Sequence, residues 1–395
     1  MNTGRNAPST FTLLPLTASH GLMHIMVVAL PALSPLVKAE FSLTYTAVGL
    51  LSFAFAAAIG VGSIPAGLLA DRFDGIVLIK LGFFVTAIFS ALLLLPWDFV
   101  SITLIFIALG FFLSFYHPSA LSHIARSFSV NRGRTFGVHE TGASIGLAIS
   151  PLIAGFIAYY YGWRLVYLFL AVPALFIALV LLRNQKGGTV GAERTKQHTD
   201  ITILKEFIHQ MVRTSSIRRV YLTEGLFGFV IGGAVTFIPI FLNEAKGLGP
   251  EFAVAVTSVF TVGGAVGKYV GGHLTDFVGG QKVMVIGFFL VAPLFFSAPF
   301  LPLFWAILAL ACAGMIFPMI LPAIITTIST EIEQSRTGVA FGMLMLAGFG
   351  FGSLSRLLMG VVGDSFGIAT VFYPLVVVTL AGGLLNCTKA FKQTF

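Results

Sequence analysis

Apolar residues run through this chain in stretches of about 20, the length a helix needs to cross a bilayer. Twelve stretches are legible, at 11–37, 45–70, 76–96, 99–125, 135–160, 164–183, 216–242, 250–273, 282–299, 302–328, 337–362 and 366–388. Polar residues gather in the short joints between them. One joint is longer: NQKGGTVGAERTKQHTD, 184–200, is polar and Gly-containing and reads as a linker. After it comes ITILKEFIHQM, with apolar residues at 201, 204, 208 and 211. That spacing fits an amphipathic helix on the membrane surface and equally a lead-in to the seventh run. The pattern predicts an all-α polytopic membrane protein with twelve transmembrane helices in two pseudo-symmetric six-helix bundles. The expected boundaries are 1–186 and 216–395, with a cytoplasmic linker over 187–215. An even count puts both termini on one side.

Composition agrees. The chain is 57% hydrophobic and 10% charged, with a mean hydropathy of +0.97; soluble domains carry about 25% charged residues. Gly occurs 43 times, as suits spanning helices. Cys312 and Cys387 sit in apolar runs and have neither disulfide-framework nor zinc spacing. Residues 11–37 are too long for the core of a signal peptide and lack its small-residue exit, so they are expected to remain as the first span.

Charge gives the orientation. With the N-terminus inside, 18 of the 23 Lys and Arg fall on cytoplasmic segments, and only Lys38, Arg164 and Lys246 fall outside. The net charge of +8 is therefore a topology signal and implies no nucleic acid.

The chain also repeats itself. Gly21, Leu22, Pro35 and Glu40 match Gly225, Leu226, Pro239 and Glu244 at an offset of 204. Ala58, Gly62, Ala66, Gly67 and Asp71 match Gly263, Gly267, Gly271, Gly272 and Asp276 at 205. Gly110 and Pro118 match Gly314 and Pro322; Gly137, Gly155 and Gly162 match Gly342, Gly360 and Gly367. A near-constant offset implies duplication of a six-helix unit, with the copies parallel about an axis along the membrane normal. Small residues every fourth position in runs 2 and 8 permit close helix approach, at corresponding contacts in each half.

The segments GLLADRFDG, 67–75, and GGHLTDFVGG, 271–280, resemble the loop signature of the major facilitator superfamily. Together with span count, duplication and linker position, the resemblance covers the whole chain. The second copy keeps Gly279 three residues after Asp276; the first has Asp74 where Gly is expected. The resemblance implies that Asp71 and Arg72 help hold a cytoplasmic gate shut, with Asp276 as the second-copy counterpart. For Asp276, a turn carboxylate on a helix dipole remains an alternative. The Arg of many proton-coupled members is replaced by Ile107, and the Gly-Pro pair of antiporters by Ser150-Pro151. Within the superfamily, SFYHPSALSHIAR and SHGLMH resemble the fosmidomycin-resistance type of drug exporter, through His20, His117 and Pro118.

Ionisable residues at mid-bilayer cost about 2.5–3.5 kcal/mol each on insertion scales. Glu140, Glu224, Lys268 and Arg356 are such residues, accompanied by His20, His24, His117 and His139. They should face one another, water or a solute. All lie on runs 1, 4, 5, 7, 8 and 11, and the resemblance implies that these runs border a central cavity. His20, His24, His117, Glu140 and Glu224 are the candidates for proton coupling; interhelical hydrogen bonding is the competing role for the histidines. Glu140 and Lys268 are expected to pair across runs 5 and 8 as a gate, with Glu224–Lys268 the competitor. Arg356 could clamp a carboxylate or phosphate or tie to a carbonyl, and Lys268 and Tyr116 complete the candidate substrate site. The i, i+4 spacing of His20 and His24 is compatible with a metal, but no acidic cluster accompanies it, so no metal site is expected.

Enzyme motifs fail on context. GASIG, 142–146, matches a nucleophile elbow but lies within a spanning helix. His139-Glu140 starts a metalloprotease motif, but Ala143 stands where the second His belongs. Ser144 with His117 is the residual hydrolase constellation. No Walker loop is present, so this chain does not itself use ATP. The expectation is a monomeric, proton-coupled carrier of a small anionic or zwitterionic solute in a bacterial inner membrane, without cofactor. Both termini are expected to be cytoplasmic. Export is expected from the resemblance, with organic-anion uptake by symport the alternative and metal-ion transport or intramembrane hydrolysis less favoured.

Overall fold

The computed structural model describes residues 10–95, 98–127, 132–183, 201–331 and 337–390. Among them are twelve helices long and apolar enough to cross a membrane: Leu13–Ala32, Tyr45–Ala70, Gly75–Leu92, Phe99–Ile124, Val138–Tyr161, Trp163–Leu181, Ser215–Glu244, Pro250–Val278, Gly280–Ser297, Leu303–Ile328, Val339–Phe366 and Ile368–Cys387. These are spans 1 to 12. The polar segment 184–200 lies outside the described residues. Ile201–Arg213 is a helix of its own, separated from span 7 at Thr214. Its Phe207 is 1% exposed and packs edge-on to Tyr221 of span 7.

Each half has its own apolar core, and the two are built alike. Span 1 packs on 5 as 7 packs on 11, span 2 on 4 as 8 on 10, and span 3 on 6 as 9 on 12. The halves meet where spans 2 and 11 and spans 5 and 8 run together. The four-residue glycine spacing explains the 8–10 contact. A Cβ at Gly267 or Gly271 would land on the carbonyls of Met315 or Met319, and one at Gly263 would lie 2.9 Å from the Met315 amide. In the first copy, Gly62 and Gly110 do the same work between spans 2 and 4. Lipid supplies no hydrophobic drive between helices, so such backbone proximity is what holds them.

Several spans are interrupted: span 8 at Thr257, span 10 by the 3-10 turn Phe317–Met319, and spans 1, 4 and 11 as follows. Span 1 ends at Ala32 and restarts as the short helix Ser34–Glu40, with Pro35 in its first turn. Span 4 breaks at Ser114–Phe115, between Leu113 and Tyr116, because Pro118 has no N–H to offer the Ser114 carbonyl one turn back. Span 11 widens into a π-helical segment, Leu346–Phe351, a geometry found often at functional sites.

Candidate functional site

Positions scattered through the N-terminal half of the sequence converge here. His20 and His24 project from one face of span 1. The break in span 4 delivers Tyr116 and His117, and span 5 brings His139 and Glu140. The His20 ring stacks on His139 with centroids 4.2 Å apart; it lies 4.9 Å from His24 and 5.0 Å from His117. His20 and His139 are fully buried. His20 Nδ1 faces the His139 carbonyl oxygen at 3.1 Å and Glu140 Oε1 at 3.8 Å. His20 Nε2, His24 Nδ1 and both ring nitrogens of His139 are buried without a hydrogen-bond partner.

Tyr116 is held in place by its neighbours. Its hydroxyl donates to the Leu16 carbonyl at 2.6 Å and its ring stacks on His20, so it is a wall tying span 4 to span 1. Ser150, standing where the family pattern has Gly, donates to the Ile25 carbonyl at 2.8 Å and ties span 5 to span 1.

Lys268 lies within electrostatic reach of Glu140 and, more weakly, Glu224, and also of His20, His24 and His117. Neither carboxylate comes within ion-pair distance of it among the described residues. The expected Glu140–Lys268 bridge is thus not formed, and neither is Glu224–Lys268. Gly142 and Gly146 set span 5 directly against the Thr17 and Gly21 carbonyls of span 1, which turns Glu140 toward His20 instead. In the second half, Glu224 occupies the place His20 has in the first. It is 6% exposed, its Oε2 is unpartnered, and a Cβ on Gly348 of the π segment would sit 2.5 Å from its Oε1.

Arg356 is buried, 7% exposed, and among the described residues no carboxylate comes within ion-pair distance of it. Its guanidinium fills the space left by Gly232 of span 7, where a Cβ would be 2.6 Å from Nη1. Nη1 donates to the Gly352 carbonyl at a long 3.4 Å, and Nε has no partner. A carbonyl tie exists but satisfies little of a five-donor cation.

The gating candidates separate. Asp71 and Arg72 end the helix of span 2, and their side chains lie outside the described residues. Asp276 is exposed, and Gly279 after it takes φ +89°, as its place in the loop signature requires. In the first copy Asp74 instead caps span 3 by accepting from the Ile76 amide at 2.9 Å, with His123 Nδ1 3.4 Å away. Hydrogen bonding to His123 first, and to the Ile76 amide after it, holds the Asp74 carboxyl below the ordinary carboxylate value.

Sequence reasoning missed an inter-half cluster at the end of the molecule where span 1 ends and span 2 begins. Asp364 of span 11 accepts the Tyr45 and Thr46 amides of span 2 at 2.9 and 2.8 Å. Lys38 pairs with Glu244 at 3.0 Å, the Tyr45 hydroxyl donates to the same Glu244, and Ser34 donates to the Thr236 carbonyl at 2.9 Å. A cap supplied by another helix has no sequence signal; the Glu40/Glu244 repeat match was the nearest hint. The other two cations placed outside are also tied. Arg164 bonds Glu40 and the Leu93 and Leu95 carbonyls, and Lys246 bonds the Pro299 and Leu301 carbonyls.

GASIG lies inside the continuous helix Arg132–Tyr161, with no strand or turn to expose Ser144 as an elbow would.

The family model of the Major Facilitator Superfamily matches residues 16–355 and, in an overlapping second match, 256–391. The fosmidomycin resistance protein of Escherichia coli (strain K12) is 25% identical over 360 residues, covering 90% of this chain and 87% of that protein. The glycerol-3-phosphate transporter of Bacillus subtilis (strain 168) is 27% identical over 259 residues, covering 60% of this chain and 58% of that one. Among solved structures, a bacterial homologue of the human lysosomal transporter Spinster, inward-facing and unoccupied, superposes with a TM-score of 0.78 at 18% identity. That match covers 95% of this chain and 96% of the other, and it speaks to fold alone.

Proposed function

The chain belongs to the major facilitator superfamily and is a multi-pass membrane transporter of small organic solutes, and from that premise we propose that it exports an anionic or zwitterionic solute in exchange for protons. The two halves, 1–186 and 216–395, rock about a site between them while the segment 187–215 joins them. The observation that carries this reading is the polar cluster between the halves. Lys268 of span 8 stands within reach of Glu140 from one half and Glu224 from the other, and Glu140 also faces His20 at 3.8 Å. A proton arriving at Glu140 cancels the attraction to Lys268 that crosses between the halves at that depth; one arriving at Glu224 cancels an attraction within the C-terminal half and leaves Lys268 to Glu140. Glu140 keeps 41% of its side chain uncovered by protein, which leaves its carboxylate open to a proton.

Arg356 supports an anionic cargo. A buried guanidinium with one long bond has free donors for a carboxylate or phosphate. A relative named for glycerol-3-phosphate carries a cargo of that charge, and a relative named for drug resistance fits export. The Lys and Arg distribution and the bacterial relatives support residence in a bacterial inner membrane with both termini cytoplasmic.

The deciding measurement is flux in proteoliposomes with an imposed pH gradient of each sign, using phosphonates and sugar phosphates as trial solutes. Exchange predicts solute movement opposite to the proton gradient; symport predicts movement along it. Flux indifferent to both the sign and the size of the gradient rules out coupling. Glu140→Gln and Glu224→Gln should flatten the gradient dependence while leaving exchange of solute for solute.

A further inference from the structure

We propose that His20, His24 and His117 form a binding site for a borderline divalent transition-metal ion of the zinc type. The sequence offers only two of these ligands, at i and i+4; the break in span 4 adds the third. One ligand nitrogen from each lies within 4.8 Å of the others. The three rings form a nearly equilateral triangle, with centroids 4.9, 5.0 and 5.3 Å apart. Zinc–imidazole bonds of about 2.0–2.1 Å in a tetrahedron place ligand nitrogens roughly 3.4 Å apart. The rings therefore close by about an ångström or less on an ion, within side-chain rotation.

The tautomer of His20 supports this. Its Nδ1 faces the His139 carbonyl at 3.1 Å, and a carbonyl only accepts, so Nδ1 carries the proton and Nε2 has the lone pair. Metal-binding histidines are held in this way, one ring nitrogen donating to a carbonyl and the other on the metal. The free Nε2 is buried without any partner, and so is His24 Nδ1. A second grouping, His20, His139 and Glu140, is close enough in space but draws on the His20 nitrogen already committed to the carbonyl. Imidazole-only ligation suits Zn²⁺, Ni²⁺, Co²⁺ or Cu²⁺ and not Mg²⁺ or Ca²⁺. Of the nearby charges, Lys268 opposes a dication and Glu140 favours it. Because the ligands must be neutral imidazoles, protons compete with the ion.

The test uses the full chain, purified in detergent with any affinity tag removed and stripped with chelator. Titration with Co²⁺ should give the visible absorption of a tetrahedral site, bleached by Zn²⁺, and equilibrium dialysis should retain about one Zn²⁺ per chain. Affinity should fall as pH is lowered. Loss of an outer partner of a ligand weakens metal sites about 10–100-fold, so His20→Ala, His24→Ala or His117→Ala should each weaken binding by at least about 100-fold. His209→Ala and His273→Ala, at exposed positions, should change nothing. Zn²⁺ should raise the melting temperature of the wild type and leave that of the ligand variants unmoved. If an alanine variant does not elute as a folded species, the corresponding asparagine variant is read instead. Binding that survives in the triple variant, or wild-type protein that retains no ion after dialysis, overturns the site. No step of the test involves transport, so the proton-exchange reading stands or falls separately.

Discussion

Asp364→Ala removes a carboxylate that caps span 2 from the opposite half. In the native chain it accepts the Tyr45 and Thr46 amides at 2.9 and 2.8 Å, two of the orphan donors of that helix's first turn. Asp364 is exposed, so the loss resembles that of an ordinary N-cap, about 0.5–2 kcal/mol. Thr44 still caps the same helix through the Ala47 amide at 3.1 Å, which argues for the middle of that range. A loss of about 1 kcal/mol from the state closed at this end shifts its balance with the open state by about fivefold. The reporter is a single cysteine at Thr236, which is fully buried beneath this closure and whose carbonyl accepts from Ser34. With Cys312 and Cys387 replaced by Ser, its labelling by a membrane-impermeant maleimide follows the open fraction. Asp364→Ala should speed labelling about fivefold, and Lys38→Met, which breaks a half-buried ion pair at the rim worth about 1 kcal/mol or less, should speed it less. Labelling that is unchanged or slower in Asp364→Ala would refute the idea that this carboxylate holds the halves together.

Other outcomes follow from single contacts. Gly267→Ala would drive a methyl group into the Met315 carbonyl, which is backbone and cannot swing aside, so the detergent melting temperature should drop by the equivalent of about 1–3 kcal/mol. Gly272→Ala, in open space on the same helix, should melt like wild type. Arg356→Lys keeps the charge but loses the planar fork; under the anion-clamp reading it should raise the half-saturating solute concentration at least several-fold, whereas unchanged affinity and preference would remove Arg356 from the site. Asp74 has its pKa held below the ordinary 3.8, first by His123 and then by the Ile76 amide and Lys80. A depressed carboxylate stabilises the fold above its unfolded pKa and loses that effect as pH falls through its folded value. Wild type should therefore melt higher than Asp74→Asn at neutral pH, and the gap should narrow as pH falls below the ordinary 3.8; a constant gap would exclude the linkage.

The spans were legible because a bilayer demands the same thing of every segment that crosses it. Some 20 apolar residues with internally satisfied backbone leave a signal that needs no knowledge of neighbours. The duplication was legible because close helix contacts require small residues at fixed intervals, as Gly263, Gly267 and Gly271 show against span 10. The buried ionisable residues were conspicuous for the opposite reason, their cost in hydrocarbon. Pairing was not legible. Glu140 and Lys268 lie at matching depths by residue count, yet depth says nothing of azimuth, and the Gly142–Thr17 and Gly146–Gly21 contacts rotate Glu140 to His20.

What the sequence determined by itself was therefore the solvent, the number of crossings, their two-fold kinship and the residues too costly to be idle. What only the tertiary structure decided was which of those residues meet. The third histidine of the triad, the trans cap from Asp364 and the vacant guanidinium of Arg356 all depend on how helices far apart in the chain rotate against one another. That rotation is set by packing of surfaces a few ångströms across, and no local pattern along the chain records it.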